Sequence, residues 1–383
     1  MLTSGIDFIN FNLKKHSSLV KKNLISILKS KNEVVNSLCQ NYKNSFSQKF
    51  LSKYKKVSNY RVIGMGGSSL GTQAIYDFLN HKIRNNFIFP NNLQVDSIKK
   101  KKKFTNLIIS KSGNTIETIV NTNILIKKKD RNIFITENKN SYLFNLAEQL
   151  KSDIIHHNNY IGGRYSVLSE VGMLPAELMG LKASNFRQLN NLIKNKKFIN
   201  SLISNVSSTI YFIKKKKFNS VIINYDNKSK NLFNWYQQLV AESLGKKKKG
   251  LLPVISSMPK DNHSTMQLYL DGFKNNFFTF FYSHENNSPK INNDTVLLEQ
   301  KFLKNKDVNQ IMYAQKKATE IVFKKKNIPF RSFEIKKRDE KTLGELFCFF
   351  ILETILIGKT LRVNPFDQPA VELIKKETKK ILI

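Results

Sequence analysis

The chain has 383 residues, 40 % of them apolar and 24 % charged, which is the composition of a globular protein of two or three domains and excludes a disordered chain. Lys and Arg total 64 against 28 Asp and Glu, a formal net charge of +36. Two cysteines exclude a disulfide framework and a Cys-based zinc site.

In chain order, residues 1–55 read as helical and polar, with apolar residues at three-to-four spacing from Ser18 onward. The first clear strand is Tyr60-Arg-Val-Ile-Gly. It runs into Gly64-Met-Gly-Gly-Ser-Ser-Leu-Gly71 and a helix from Thr72. A second strand, Phe104 to Ser110, runs into Lys111-Ser-Gly-Asn-Thr115 and a helix from Ile116; a third is Asn132 to Thr136. A polar helical region from Ala183 to Lys217 follows, then a strand from Ser220 to Tyr225 and a helix from Leu232 to Leu244. Later strands are expected at Phe277–Tyr282, at Thr295-Val-Leu-Leu and at Ile328–Glu334, with a long apolar helix from Thr342 to Lys359. Short, continuously apolar strands alternating with helices predict an α/β protein with parallel sheets covered on both faces. Two such sheets, the second starting near residue 200, are the simplest arrangement.

The glycine loop sits between a strand and a helix, where glycines bring backbone N–H groups close to a ligand and the helix N-terminus favours an anion. A dinucleotide fingerprint starting at Gly64 requires glycine where Ser69 stands. A nucleoside-triphosphate loop starting at Gly66 requires Lys after Gly71, where Thr72 stands. The second loop gathers Ser110, Lys111, Ser112, Gly113 and Thr115 at the start of a helix, a set that suits a phosphomonoester. Without a ligand the same residues would serve as a tight turn and a helix cap. Two such loops on one parallel sheet would both lie at its carboxyl edge, where ligands bind.

The net charge would suit a polyanion partner. Its runs, at Lys99–Lys103, Lys214–Lys217 and Lys246–Lys249, are scattered, and aromatic residues do not alternate with them as a stacking platform requires. Lys and Asn share A-rich codons, so the excess reads as base composition, and no nucleic-acid partner is expected. The longest apolar stretch, Leu346 to Gly358, is interrupted by Glu353 and falls short of the ~20 residues that span a bilayer. The N-terminus shows no basic segment followed by an apolar one. A cytoplasmic protein without a membrane partner is the expectation.

Six segments now stand in order: Gly64-Met-Gly-Gly-Ser-Ser-Leu-Gly, Ser110-Lys-Ser-Gly-Asn-Thr-Ile-Glu-Thr, Gly162-Gly-Arg-Tyr-Ser-Val-Leu-Ser, Gln238-Leu-Val-Ala-Glu-Ser-Leu-Gly-Lys, His263-Ser-Thr-Met-Gln, and Asn364-Pro-Phe-Asp-Gln-Pro-Ala-Val-Glu-Leu-Ile-Lys. Together they span residues 64 to 375, about four-fifths of the chain, and resemble the glucose-6-phosphate isomerase family. The resemblance implies two sugar-isomerase-type domains, each a mainly parallel sheet flanked by helices, at 56–190 and 200–360. An N-terminal helical segment, 1–55, precedes them, and a C-terminal segment, 361–383, carries the lysine motif. It also implies interconversion of glucose 6-phosphate and fructose 6-phosphate through ring opening and a cis-enediol(ate).

Residue by residue, the resemblance makes Glu242 the base that moves a proton between C2 and C1, and Arg164 the group that steadies the enediolate. His263 would open the ring, entering from the partner subunit of a homodimer, and Lys375 would lie near the ring oxygen, with Lys376 as its possible substitute. Ser110, Ser112 and Thr115, with the Lys111 backbone, Gly67 and Ser68 close by, would hold the phosphate. Gln238 and Gln368 would contact the sugar or position its neighbours. No cofactor and no metal is implied, and the adjacent His156 and His157 read as structural. Ile374, Ala370 and Asn262 depart from the family's usual residues, and the chain is short for the family. A related isomerase that also accepts mannose 6-phosphate, and a silent sugar-phosphate-binding regulator, are the alternative readings.

Overall fold

The computed structural model describes residues 1–13, 16–54, 56–93, 103–285 and 287–383. Most of the Lys99–Lys103 run therefore lies outside the described residues. Ten strands are described: β1 (Ile6–Ile9), β2 (Asn59–Ile63), β3 (Asn86–Ile88), β4 (Thr105–Ile109), β5 (Arg131–Thr136), β6 (Asp153–His156), β7 (Asn219–Asn224), β8 (Leu252–Ser257), β9 (Asn276–Ser283) and β10 (Phe330–Ile335). They form two five-stranded sheets, one ordered β3-β2-β4-β5-β6 and the other β1-β10-β9-β7-β8. Every pairing in the first sheet is parallel, and in the second only β1 runs antiparallel, on the outer edge of β10.

The expected mixed α/β architecture with two mainly parallel sheets is present. All five residues of β4 are buried, and only the first residues of β2 and β7 are not fully so, as strands covered on both faces require. The helices Leu70–Phe78 of the first half and Lys230–Leu244 of the second pack against each other. The largest of three apolar clusters runs through both, joining Val62 and Leu107 of the first sheet to Ile222 and Phe281 of the second. The helix Glu340–Leu361 fills its centre, with every residue from Thr342 to Gly358 buried. Asp339 caps that helix by accepting from Thr342 N at 2.9 Å, and Arg362, in the left-handed region at φ 57°, ends it.

Three sequence expectations change. The strand expected at Thr295-Val-Leu-Leu is absent; the segment forms two 3₁₀ turns, Asn293–Thr295 and Leu298–Leu303, with Leu297 and Leu298 exposed. A strand-like composition becomes a strand only where a neighbour pairs its backbone, and none of the described residues does so here. Residues 1–55 are not wholly helical, because β1 precedes their helices and completes the second sheet, with Ile6 opposite Ile335. The strands β3, β6 and β8 were not expected either; β3 and β6 are three and four residues long, and β8 carries Pro253.

The strand order places the candidate loops. In the first sheet the chain leaves β2 to one side for β3 and returns to the other side for β4, so the switch point lies between β2 and β4. Ile63 pairs with Ile108, which sets the glycine loop beside the hydroxyl loop at the carboxyl edge.

Candidate functional site

The glycine loop is shaped by two close approaches. Gly66 has φ +54°, a conformation that favours glycine, and a Cβ there would fall 2.7 Å from Gln238 Nε2. A Cβ on Gly67 would fall 2.2 Å from the carbonyl carbon of Gly163 and 2.4 Å from Arg164 N. Backbone therefore lies directly on backbone, and the Gly162-Gly163-Arg164 segment is locked to the loop. Ser68 is half-buried at the end of the 3₁₀ turn Gly66–Ser68, with its N–H on Met65 O.

In the neighbouring loop, Ser110 Oγ and Thr115 Oγ1 are hydrogen-bonded at 3.0 Å. Thr115 is the N-cap of the helix Ile116–Leu125, and its side chain makes no capping bond, so the first-turn N–H groups keep their donor capacity and the dipole its positive end. Ser112 Oγ accepts from Asn114 N at 3.2 Å, which closes the turn. Lys111 Nζ points away from the hydroxyls and donates to Asn159 O at 2.6 Å, 3.6 Å from Glu137. Burial lowers the Lys111 pKa, and the Glu137 carboxylate opposes that shift. The hydroxyls and the backbone N–H groups thus gather around one helix start, while the Lys111 ammonium is engaged by Asn159 and Glu137.

Arg164 is 2 % exposed in the 3₁₀ turn Gly163–Leu168. Its Nε donates to Ser243 Oγ at 2.8 Å, and its Nη2 to Pro365 O at 2.7 Å and Asp367 O at 3.0 Å. Its Nη1 donates to Glu242 Oε2 at 3.2 Å and to Gln368 Oε1 at 2.7 Å. Glu242 lies near the end of the helix Lys230–Leu244, and Gln238, one turn earlier on the same face, donates to Glu242 Oε1 at 2.9 Å. Both carboxylate oxygens are held, yet the Glu242 side chain is 32 % exposed. A carboxylate so held and still accessible can accept a proton from a ligand, and the guanidinium beside it can stabilise charge developing on a ligand oxygen.

Glu242, Arg164, Gln238 and Gln368 therefore meet, and the glycine loop touches both Gln238 and Arg164. His263 and the lysines do not join them. His263 is exposed at the end of the 3₁₀ turn Lys260–His263, which follows β8. Lys375 sits on the fully unburied helix Val371–Ile381, with its Nζ 2.6 Å from Glu372 Oε1, and Lys376 is exposed beside it. Neither His263 nor either lysine forms a hydrogen bond or ion pair with Glu242 or Arg164 among the described residues. His157 is buried after β6 with Nδ1 on Asn158 O at 3.0 Å, and burial pushes its pKa down to about 4.

Three further residues shape the site and escaped the sequence reading. Ser243 and Tyr165 flank Arg164, and Trp235 Nε1 donates to Arg164 O at 3.1 Å. Each stands beside or on one helix with a residue already singled out, and adjacency was the available signal.

A model of the phosphoglucose isomerase family matches residues 16–258. The chain is 34 % identical over 354 residues to a glucose-6-phosphate isomerase of Methanocaldococcus jannaschii, covering 85 % of each chain. It is 31 % identical over 359 residues to the glucose-6-phosphate isomerase of Campylobacter jejuni, covering 88 % of each. Among solved structures, a hypothetical protein from Thermus thermophilus superposes with a TM-score of 0.81 at 21 % identity, over 95 % of this chain and 94 % of that one. A glucose-6-phosphate isomerase from Chlamydia trachomatis superposes with a TM-score of 0.77 at 16 % identity, over 99 % and 89 %. At these identities the structural likeness establishes the shared fold.

Proposed function

The chain belongs to the phosphoglucose isomerase family, and from that premise we propose that it interconverts glucose 6-phosphate and fructose 6-phosphate with Glu242 as base and Arg164 as its electrostatic partner. The observation that carries the reading is the bonded set Gln238–Glu242–Arg164–Gln368, with the carboxylate open to a ligand.

In the forward direction Glu242 takes the proton from C2 of the open-chain aldose. The C–H electron pair forms the C1–C2 double bond, and the carbonyl oxygen at C1 becomes the enediolate oxygen. Arg164 Nη1 stabilises that oxygen by exchanging Gln368 or Glu242 for it, and an always-charged guanidinium is suited to this. A proton shift between the two oxygens moves the charge to O2. Glu242 then returns its proton to C1 as the carbonyl forms at C2. One base reaching both carbons suffices, and no redox partner enters. Ser110, Ser112, Thr115 and the backbone N–H groups around Lys111, Gly67 and Ser68 would hold the phosphate at the switch point of the first sheet.

Ring opening is assigned to His263 and to Lys375 or Lys376. All three are exposed on the single chain; the family resemblance implies that His263 acts in the site of a partner subunit of a homodimer. The proposed domain division is an N-terminal segment at 1–55, sugar-isomerase domains at 56–190 and 200–360 and a C-terminal segment at 361–383, with β1 serving the second sheet from the N-terminal segment. On the family resemblance the reaction would serve glycolysis and gluconeogenesis in the cytoplasm. No helix among the described residues is long and apolar enough to cross a membrane.

NMR of the purified protein with fructose 6-phosphate in heavy water tests the reading. Glucose 6-phosphate with deuterium at C2 is expected. Mannose 6-phosphate at a comparable rate would move the assignment to the bifunctional relative, and no aldose from a folded protein would remove the isomerase.

A further inference from the structure

Arg164 is held from behind by a closed ring of hydrogen bonds. Its Nε donates to Ser243 Oγ at 2.8 Å, Ser243 Oγ and Tyr165 Oη are 2.8 Å apart, Tyr165 Oη donates to Pro365 O at 3.0 Å, and Arg164 Nη2 donates to the same carbonyl at 2.7 Å. Ser243 and Tyr165 are wholly buried. The proton positions follow from valence. A guanidinium only donates, so Ser243 Oγ accepts from it; a carbonyl only accepts, so the phenol proton goes to Pro365 O; the serine proton is left for Tyr165 Oη. Every hydroxyl in the ring then donates once and accepts once, as a buried polar network requires. The Tyr165 ring also lies 5.2 Å from the guanidinium carbon, within cation–π reach. Burial raises the phenol's pKa to about 12, so its donor proton stays in place at any working pH.

The open side of the guanidinium differs. There Nη1 meets Glu242, 32 % exposed, and Gln368, which is exposed. The ring therefore fixes Nε and Nη2 and leaves Nη1 as the donor whose partners a ligand can replace.

We infer that Ser243 and Tyr165 are positioning residues, acting through Arg164 to aim its Nη1 at the reacting oxygen, an inference that rests on the functional reading above. Neither touches the substrate. A planar fork pinned along one edge cannot swing, so the alignment is set before the substrate arrives.

The test compares Ser243→Ala and Tyr165→Phe in the wild-type and in an Arg164→Lys background, reading kcat, KM for fructose 6-phosphate and competitive inhibition by inorganic phosphate. Lysine cannot occupy the ring as a fork. Ser243→Ala is expected to lower kcat about 10- to 100-fold in the wild-type background, with KM and phosphate inhibition within about twofold. In the Arg164→Lys background the same change should cost less than about threefold, because its only route is gone. Tyr165→Phe, which opens the ring with little change in volume, should show the same pattern more weakly and carries the test if Ser243→Ala does not fold. Equal losses in both backgrounds would make the two residues structural and overturn the proposal. So would unchanged kcat in either variant where Arg164→Lys is impaired. Full turnover in Arg164→Lys alone would instead remove Arg164 from the reaction, and the functional reading would fall with the positioning role.

Discussion

Arg164 uses all five of its N–H donors within the chain, and two of the acceptors it finds belong to accessible side chains. The pair is asymmetric: the guanidinium is 2 % exposed and the carboxylate 32 %. The asymmetry suits a site in which a fixed cation meets a base that must still reach a ligand. In the proposed reaction the phosphate would sit on different residues. Replacing Ser110, Ser112 and Thr115 together by Ala removes three hydroxyls from the helix start but leaves Arg164 and Glu242 untouched. We expect KM for the sugar phosphate to rise at least about tenfold with kcat within about threefold, read by steady-state kinetics, since on the proposed reading those hydroxyls would serve the ground and transition states alike. Unchanged KM would place the phosphate elsewhere. At this scale the sequence was informative where chemistry is local: Gln238 and Glu242 lie four apart on one helix, and the hydroxyls crowd one loop. It could not show that Lys111 turns to Asn159, nor that Ser243 and Tyr165 close behind Arg164, because those contacts join segments about 80 residues apart or depend on side-chain torsions.

Elements bring those residues together through two strand-to-helix loops and one helix. Six of the strands were legible because they are mostly buried and read as largely apolar runs: β2, β4, β5, β7, β9 and β10. β1, β3, β6 and β8 are edge strands, specified by their neighbours more than by their own composition. Thr295-Val-Leu-Leu shows the converse error, a strand-like composition without a partner strand. The contact of Gly67 with Gly163 was invisible in spacing, since it joins two loops about 100 residues apart. Gly67→Ala puts a methyl group 2.2 Å from the Gly163 carbonyl carbon, so one backbone must move, and Arg164 follows directly on one of the two. Overpacking of this kind costs ~1–3 kcal/mol. A displacement near 1 Å at a catalytic group can cost about a hundredfold in turnover. Chemical denaturation should show a modest loss of stability, and the assay a much larger loss of kcat; unaltered kcat would mean that the two loops do not position Arg164.

Across the molecule, one buried ion pair ties the site to the core. Arg331 on β10 and Glu353 in the central helix are 1 % and 2 % exposed and bonded to each other. Arg331 also donates to Asn205 Oδ1 at 2.8 Å, Thr279 Oγ1 at 2.9 Å and Tyr236 Oη at 3.3 Å. Tyr236 belongs to the helix that carries Glu242, so this network joins the second sheet, the central helix and the helix Lys230–Leu244. Removing one partner of a buried pair strands the other charge and costs roughly 3–5 kcal/mol. Glu353→Ala should therefore lower the denaturation midpoint strongly while leaving KM unchanged in the protein that remains folded; an unshifted midpoint would show the pair to be dispensable. This scale was the least legible in the sequence. Glu353 appeared only as an interruption in an apolar helix, and nothing in its surroundings named Arg331 as its partner.

The central claim is that Glu242 moves the proton between C1 and C2. Its most direct test is NMR in heavy water of the Glu242→Gln variant with fructose 6-phosphate, following deuterium entry at C1 and the appearance of C2-deuterated glucose 6-phosphate. Glutamine keeps the volume and one hydrogen-bonding oxygen but cannot take a proton. Both rates should fall by roughly two to four orders of magnitude, with inhibition by inorganic phosphate preserved. Exchange and isomerisation at the wild-type rate would show that another group is the base and would contradict the account.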